Sequence, residues 1–311
     1  MEDYPRTILE LEERFATEES CLQYLYQLRW PECFICPRCG HLRAWATKRG
    51  QYRCCQCDCQ VSVTAGTVFQ DTRKPLRLWF RAMWHITSQK NGVSALGLQR
   101  ALGLKRYETV WTWLHKLRTA MVRPGRDRLS GIVEVDETYI GGKKPGKRGR
   151  GARGKVLVVI AVEDKVNCLG RIRLRRVTDA SATSLVLAVQ ESVEPSSVIR
   201  TDGWSGYAPL SSRGYEHLIV RPSADVGENL LPLAHRVAAL LKRWLAGTHH
   251  GAARTSHIDY YLDEFTFRFN RRTSLSRGKL FYRLVQQAVS IAPVNSKDIR
   301  GGNYNHRCHK I

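Results

Sequence analysis

Two pairs of closely spaced cysteines constrain the fold of this chain more than any other feature of its sequence. Cys36 and Cys39 form one CxxC pair, Cys54 and Cys57 form a second, and fourteen residues separate the pairs. Two residues between paired cysteines allow a tight turn to aim both sulfurs at one ion, and four thiolates bind Zn²⁺ tetrahedrally. The spacing therefore predicts a zinc ribbon at about residues 33–60, with a structural metal because no coordination position stays open.

The cysteines next to these pairs leave the exact ligand set open. Cys33, Cys55 and Cys59 are surplus, and Cys55 or Cys59 can replace one of the four ligands without violating the spacing. The chain starts without a basic segment and apolar stretch, and it contains no run of about 18 apolar residues. We therefore expect a soluble, intracellular protein in a compartment that keeps thiols reduced.

The balance of charges predicts a polyanionic partner. The chain has 50 Lys+Arg against 28 Asp+Glu, which gives a formal net charge of +22. A surplus of this size attracts nucleic acid, although ribosomal proteins and membrane-surface binders share the same positive field. With 43% hydrophobic residues the chain can bury a core, which excludes a disordered polycation. We expect DNA as the partner, and neither a membrane nor a small-molecule substrate.

Residues 71–127 are predicted to form a helical DNA-binding segment. After Pro75, aromatic and apolar residues recur at helical spacing and indicate a helix that faces a core. A short helix from Ser94, a turn at Gly103 and a helix over residues 107–121 then follow the helix-turn-helix pattern. The cations that this pattern offers to phosphates or base edges are Lys105, Arg106 and Lys116. The alternative is a small helical bundle without a DNA-reading role.

The segment 128–292 has a strand-rich pattern and predicts an α/β domain. β-branched residues indicate strands over 132–140, 156–162, 168–177, 198–201 and 217–220, and helices are expected over 182–192, 230–245 and 256–271. Three successive strands followed by helix, strand, strand and helix is the order of an RNase H-like fold. The predicted fold class is thus α/β: an RNase H-like catalytic domain preceded by the zinc ribbon, within residues 1–70, and by the helical segment.

The order of these strands and helices predicts that two acids lie side by side. Asp136 lies in the first strand and Asp202 ends the fourth, and these strands are neighbours in an RNase H-like fold. Adjacent carboxylates with no cation next to them in sequence repel each other unless they share a divalent ion. We therefore predict a catalytic Mg²⁺ or Mn²⁺ site suited to two-metal phosphodiester chemistry. The alternative is a pair of ordinary strand-end acids at turns.

Short motifs follow one another in a specific order over about residues 20–290. They are Cys36-Pro-Arg-Cys39-Gly, Thr64-Ala-Gly-Thr-Val-Phe69 after the second cysteine pair, Val135-Asp-Glu-Thr-Tyr-Ile-Gly-Gly142, Thr201-Asp-Gly203, Leu262-Asp-Glu-Phe265 and Asn270-Arg-Arg272. Together they resemble the zinc-ribbon insertion-sequence transposases with an ISXO-type catalytic domain. Asp136 and Asp202 match the first two metal-binding acids of that family.

The resemblance implies a DDE-type transposase of a bacterial insertion sequence, a divalent-metal-dependent polynucleotidyl transferase located in the cytoplasm at the nucleoid. Such an enzyme binds the terminal repeats of its element and hydrolyses a phosphodiester at the element end. It then uses the freed 3′-hydroxyl to attack target DNA. A homo-oligomer of at least two protomers, which pairs two element ends, is also expected.

The third metal ligand is where this chain departs from the family. The family has Glu, or in some branches Asn, seven residues before a Lys, whereas here His235 precedes Lys242. An imidazole suits Mn²⁺ better than Mg²⁺, so we predict His235 as the third ligand and Lys242 as a phosphate contact. The alternatives are a pocket-facing histidine with Glu228 supplying the acid, and a solvated lysine. An inactive element copy would be a catalytically dead, transposase-derived DNA-binding regulator, and a nuclease or RNA-processing enzyme of the same fold is a third reading.

Two basic runs flank the predicted site. A glycine-rich loop without acids carries Lys143, Lys144, Lys147, Arg148, Arg150, Arg153 and Lys155. A later run includes Arg268, Arg271 and Arg272. We predict that both contact DNA phosphates, and the alternative is a solvated basic face. The basic tail, residues 293–311, is predicted to be disordered.

Overall fold

The structure is a computed structural model that describes residues 2–47, 50–123, 125–141, 155–166, 168–220, 230–250 and 253–302. The chain divides into two compact units. The first unit comprises residues 1–125 and 273–311, and the second unit comprises residues 126–272. No helix among the described residues is long and apolar enough to cross a membrane.

The first unit begins with two helices and the ribbon. Its elements up to residue 62 are α1 (Ile8–Arg14), α2 (Glu18–Arg29), β1 (Ala44–Ala46), β2 (Gln51–Cys54) and β3 (Gln60–Ser62). Thr7 and Thr17 cap the two helices, since each threonine oxygen accepts a hydrogen bond from a first-turn N–H group. The three strands pair antiparallel in the order β1-β2-β3, which confirms the predicted ribbon.

The remaining helices of the first unit pack around an aromatic core. They are α3 (Leu76–Ser88), α4 (Ala95–Leu102), α5 (Tyr107–Thr119), α9 (Arg277–Ala288) and α10 (Ser296–Gly301). Phe80 of α3 lies 4.7 Å from Phe15 and 5.7 Å from Phe281 of α9, measured between ring centroids. The predicted core-facing helix after Pro75 is confirmed, because its apolar residues are buried. Gly103, with φ of 64°, ends α4 in the left-handed conformation and makes the turn to α5.

The exposed part of α5 is its first turn. Tyr107 and Glu108 are exposed, whereas most residues from Val110 to Thr119 are buried. A recognition helix contacts base edges mainly through its N-terminal residues, so only this turn is available for such contacts.

The unit boundaries divide the chain differently from the sequence-based domains. Residues 273–292, which the strand and helix pattern placed in the α/β domain, belong to the first unit because α9 packs against α3 and α2. Within the segment expected to be a disordered tail, α10 packs against α5. Residues 303–311 lie outside the described residues.

The second unit is a five-stranded mixed sheet with helices on both faces. Its elements are β4 (Ile132–Ile140), β5 (Val156–Asp164), β6 (Leu169–Val177), α6 (Ala182–Ser192), β7 (Val198–Thr201), β8 (Glu216–Ile219), α7 (Pro232–His249) and α8 (Ile258–Phe269). The strand order is β6-β5-β4-β7-β8, in which β4 pairs antiparallel with β5 and parallel with β7. This order is consistent with the RNase H-like fold expected from the sequence.

The alternation of β4 and β5 side chains divides the second unit into two cores. Val158, Ile160 and Val162 pack with apolar residues of α7 and α8 on one face of the sheet. Val133 and Val135 pack with α6 and with the 3₁₀ turn at Ser205–Arg213 on the other face. Successive strand residues point to opposite faces, so Glu134 and Asp136 share the face that α7 covers.

Candidate functional site

The four predicted zinc ligands converge in the ribbon. Cys36 Sγ lies 3.6 Å from Cys57 Sγ, and Cys39 Sγ lies 3.6 Å from Cys54 Sγ. All four sulfurs lie within 4.8 Å of one another. A tetrahedral ion with Zn–S bonds of about 2.3 Å has sulfurs about 3.8 Å apart, so the cluster fits a structural Zn²⁺.

The backbone of the two cysteine knuckles explains why these sulfurs meet. The first knuckle ends at Gly40, with φ of 74°, whose N–H group donates to the Cys36 carbonyl. The second ends at Asp58, with φ of 55°, whose N–H group donates to the Cys54 carbonyl. Each turn therefore ends with a residue in the left-handed conformation. Cys55 is exposed and outside the cluster, and the described residues favour the predicted ligand set over the alternatives with Cys55 or Cys59.

The sheet brings Asp136 and Asp202 to the same level of neighbouring strands. Glu134 of β4 lies opposite Arg200 of β7 in the parallel register. Asp136, in β4, and Asp202, directly after β7, each follow this pair by two residues, so they occupy adjacent positions at the carboxyl end of β7. Asp202 Oδ1 accepts a hydrogen bond of 3.0 Å from the Trp204 N–H group, which holds the turn after β7.

Asp136 is partly buried and lies close to other carboxylates. Its side chain is 15% exposed, and its Oδ2 lies 3.3 Å from His235 Nε2. Burial and, next in size, the neighbouring carboxylate of Glu137 raise the pKa of Asp136 to about 6. Asp202 also raises this pKa, whereas His235 lowers it. Among the described residues, neither Asp136 nor Asp202 forms an ion pair with a lysine or arginine. A carboxylate pair in this environment fits a divalent cation.

Glu134 connects β4 to the start of α7 and was not identified from the sequence. Its side chain is buried, and its Oε2 accepts hydrogen bonds of 2.9 Å from the Leu233 N–H group and 3.0 Å from the Ala234 N–H group. Burial raises the pKa of Glu134, and these two donors oppose the shift. The carboxylate thus satisfies the first N–H groups of α7, which has no side-chain cap of its own. The next residue along α7 is His235, so Glu134 positions the imidazole over Asp136.

Replacing Glu134 with alanine is expected to loosen the first turn of α7, because two buried N–H groups lose their acceptor. We expect amide hydrogen exchange at Leu233 and Ala234 to accelerate about tenfold or more, which corresponds to a cap worth about 1–2 kcal/mol. Glu134→Gln retains an acceptor oxygen and should exchange more slowly than Glu134→Ala. Glu216→Ala, at an exposed position on β8, serves as the control. Wild-type exchange rates in Glu134→Ala would contradict the capping role.

Glu137 is a second acid that sequence reasoning missed, and it lies next to Asp136 in β4 but on the other face of the sheet. Its Oε2 accepts a hydrogen bond of 2.9 Å from the Tyr207 hydroxyl. Tyr207 is fully buried, and burial together with Glu137 raises its pKa well above the usual value for tyrosine. The hydroxyl therefore stays protonated and fixes Glu137 on the sheet face opposite Asp136. The alternation of side chains along β4 could have indicated that Glu137 faces away from Asp136. Its partner Tyr207 could not be predicted, because it lies 70 residues further along the chain.

His235 and Lys242 lie on one helix but not in one cluster. The His235 side chain is 52% exposed, and it lines a cavity of about 760 Å³ together with Arg236 and Glu134. Lys242 is exposed two turns further along α7, about 10 Å along the helix axis. The structure therefore brings His235 to Asp136, while Lys242 faces solvent beyond it. Glu228, the alternative acid, lies outside the described residues.

The predicted DNA-contacting residues differ in their surroundings. Lys105 and Arg106 are exposed, while Lys116 and Lys155 are half-buried. The loop residues Lys143, Lys144, Lys147, Arg148, Arg150 and Arg153 lie outside the described residues.

The later basic run is engaged within the second unit. Arg268 Nε donates to Glu264 Oε1 at 3.0 Å, and the Arg268 side chain is only 11% exposed. The guanidinium of Arg271 lies 4.0 Å from the Phe267 ring centroid. Arg272 donates to the backbone carbonyl groups of Leu169 and Gly170. The Arg268 and Arg271 contacts involve only α8 and the residues at its end, whereas the Arg272 contacts join the end of α8 to the start of β6, so this run has a structural role in addition to any contact with DNA.

Comparison with known proteins gives three matches. Residues 128–270 match the family model described as an ISXO2-like transposase domain. Residues 16–60 match the model described as a transposase zinc-ribbon domain, and the two models together cover more than half of the chain. A protein of Halobacterium salinarum, described as an uncharacterized protein in transposable element ISH50, is 26% identical over 279 residues, covering 82% of this chain and 91% of the relative.

Proposed function

This chain belongs to the IS1595-type transposases with an ISXO2-like domain and an N-terminal zinc ribbon, and we propose that it cleaves DNA at element ends and joins the freed 3′-hydroxyl to target DNA. The observation that supports this proposal is that Asp136 lies in β4 and Asp202 directly follows β7, the parallel neighbour of β4, inside the matched transposase domain. The relative belongs to an archaeal element, so we propose the activity without restricting it to a bacterial host.

We assign the metal-binding role to Asp136, Asp202 and His235. When bound there, Mg²⁺ or Mn²⁺ would supply activation of the attacking oxygen and stabilisation of the leaving oxygen. The two aspartates contribute the negative charge, and His235 contributes a neutral nitrogen next to Asp136 Oδ2. Since imidazole suits manganese better than magnesium, this set of ligands favours Mn²⁺.

The other residues of the site orient the ligands and the substrate. Glu134 holds the first turn of α7 and thereby the imidazole, and Tyr207 holds Glu137 away from the face on which His235 lies. We propose that Lys242, which is exposed further along α7, contacts a phosphate of the bound DNA. Two element ends must be cut and joined together, so we propose that the active form contains at least two protomers bound to DNA in the cytoplasm.

The second candidate function is a DNA-binding regulator without turnover. The observation that favours it is the imidazole at position 235, where related transposases have an acid or an amide. A regulator would retain DNA binding and lack metal-dependent cleavage.

A substitution series at His235 separates the two functions. We expect wild-type protein to nick supercoiled DNA that carries the element ends and to join strands, with Mn²⁺ giving more product than Mg²⁺. His235→Ala should lower the rate by at least about 10- to 100-fold, because that loss is typical even when only a hydrogen-bond partner of a metal ligand is removed. His235→Glu should shift the preference toward Mg²⁺, because a carboxylate offers the oxygen that Mg²⁺ prefers. A silent wild type that gains activity only as His235→Glu would instead identify a disabled transposase.

A further inference from the structure

A cleft of about 670 Å³ in the first unit is lined by five cationic side chains. Two come from the segment before α3, one from the N-cap of α5, one from α5 itself and one from α10: Arg73, Lys74, Arg106, Lys116 and Arg300. Asp71 and Glu108 are the acids on its walls, so the lining carries a net charge of about +3. The hydroxyl-bearing side chains Thr72, Thr109, Thr112 and Ser296 also line it. Ammonium, guanidinium and hydroxyl donors around one cavity are the groups that contact DNA phosphates.

Lys116 is the least exposed of the five cations. It is half-buried, whereas Arg73, Lys74, Arg106 and Arg300 are exposed. Burial lowers the pKa of Lys116, and Asp71 opposes this shift without forming an ion pair with the ammonium within the described part of the chain. A half-buried ammonium that lacks an anionic partner gains stability from a bound anion.

The start of α5 adds donors to the same cleft. Arg106 occupies the N-cap position, and its side chain makes no capping hydrogen bond. The positive end of the dipole of this 13-residue helix therefore lies beside the cleft, together with the side chains of Arg106 and Thr109 that line it. Beyond this turn most of α5 is buried, so the helix offers donors for phosphates at its start rather than a long face for reading bases.

We propose that this cleft binds the phosphate backbone of duplex DNA, with Lys116 as its innermost contact and Arg73, Lys74, Arg106 and Arg300 around it. This proposal rests on the proposed function only for the identity of the bound polyanion, which is DNA. It does not require the protein to be catalytically active. It adds α10 and the segment before α3 to the DNA-binding surface. Because backbone contacts carry no sequence information, the cleft should strengthen binding to every DNA sequence alike.

The test measures DNA affinity of the full chain as a function of salt, without added divalent metal, for duplexes with and without the element end. Lys116→Met removes the charge and keeps an aliphatic stem, so the packing of α5 is preserved. We expect about tenfold weaker binding to both duplexes and a salt slope, log K against log[salt], reduced in magnitude by about 0.9. Lys116→Arg should retain the slope. Lys90→Met, an exposed lysine that does not line the cleft, is the matched control.

The outcomes separate this inference from the proposed function. If Lys116→Met binds both duplexes like Lys90→Met, the cleft is not a DNA site, whatever the catalytic assays show. If Lys116→Met weakens only the element-end duplex, the cleft reads sequence and the backbone role is wrong. If the wild type neither cleaves nor joins DNA but Lys116→Met lowers affinity and slope as expected, the cleft stands while the catalytic proposal falls. An equal melting temperature for both methionine variants excludes misfolding as the cause.

Discussion

Replacing Asp202 with asparagine is expected to abolish DNA cleavage and strand joining while leaving DNA binding intact. Asparagine keeps an oxygen that can accept the Trp204 N–H group, so the turn after β7 should persist. The substitution removes one of the two negative charges of the proposed metal site. Metal-supported charge stabilisation of a phosphoryl transition state is worth several kcal/mol, and a loss of about 4 kcal/mol corresponds to about 10³-fold in rate. The measurement is single-turnover cleavage of labelled element-end DNA in Mn²⁺.

The matched control for this prediction is Glu216→Gln. Glu216 is an exposed acid on β8, the strand next to β7, and its substitution removes the same charge from the same unit. Its cleavage rate should stay within about twofold of the wild type. Asp136→Asn should reproduce the loss seen with Asp202→Asn, because both carboxylates belong to the one metal site that we propose. Wild-type cleavage by Asp202→Asn would refute the proposed two-aspartate centre.

Most elements of the second unit could be predicted from the sequence because their apolar residues follow a clear period. β4, β7 and α6 begin and end at the expected residues. The bounds of α7 differ, since Pro232 favours the first helical turn and the helix continues until His250 adopts the left-handed conformation. Local periodicity thus predicts which segment forms a helix or strand, while the residues at which the element begins and ends depend on cap geometry.

Contacts between distant parts of the chain could not be predicted in this way. The hydrogen bond that the Ala234 N–H group donates to Glu134 spans 100 residues, and nothing next to Glu134 in sequence distinguishes it from Asp136. Likewise, Gly278 of α9 lies against the Pro5 carbonyl group, where a Cβ atom would stand 1.7 Å from the oxygen. These contacts show that α9 belongs to the first unit and that Glu134 lies beside Asp136. They are recognisable only in the folded structure, because their partners are far apart in sequence.

Replacing Cys54 with serine is expected to unfold the ribbon and release its metal. Cys54 is fully buried, and serine offers a poor ligand in place of a thiolate. Structural zinc sites contribute about 10–16 kcal/mol of apparent binding free energy, far more than a three-stranded ribbon gains from its small core. Tyr52 of β2 packs its ring 4.6 Å from Tyr26 of α2, so the loss should also loosen the contact of the ribbon with the first helices. Zinc content and amide exchange over residues 44–62 measure the two effects.

Cys55→Ser is the matched control because it removes the adjacent thiol. Cys55 is exposed and stands outside the sulfur cluster, so this variant should keep one zinc per chain and slow exchange in the ribbon. If Cys55→Ser loses the metal and Cys54→Ser keeps it, the ligand set is wrong, and the alternative ligands that the sequence left open become the correct ones. Unfolding confined to the ribbon would leave the second unit intact, since the zinc ligands and the two aspartates belong to different units. Amide exchange within the second unit should therefore stay at wild-type rates in Cys54→Ser.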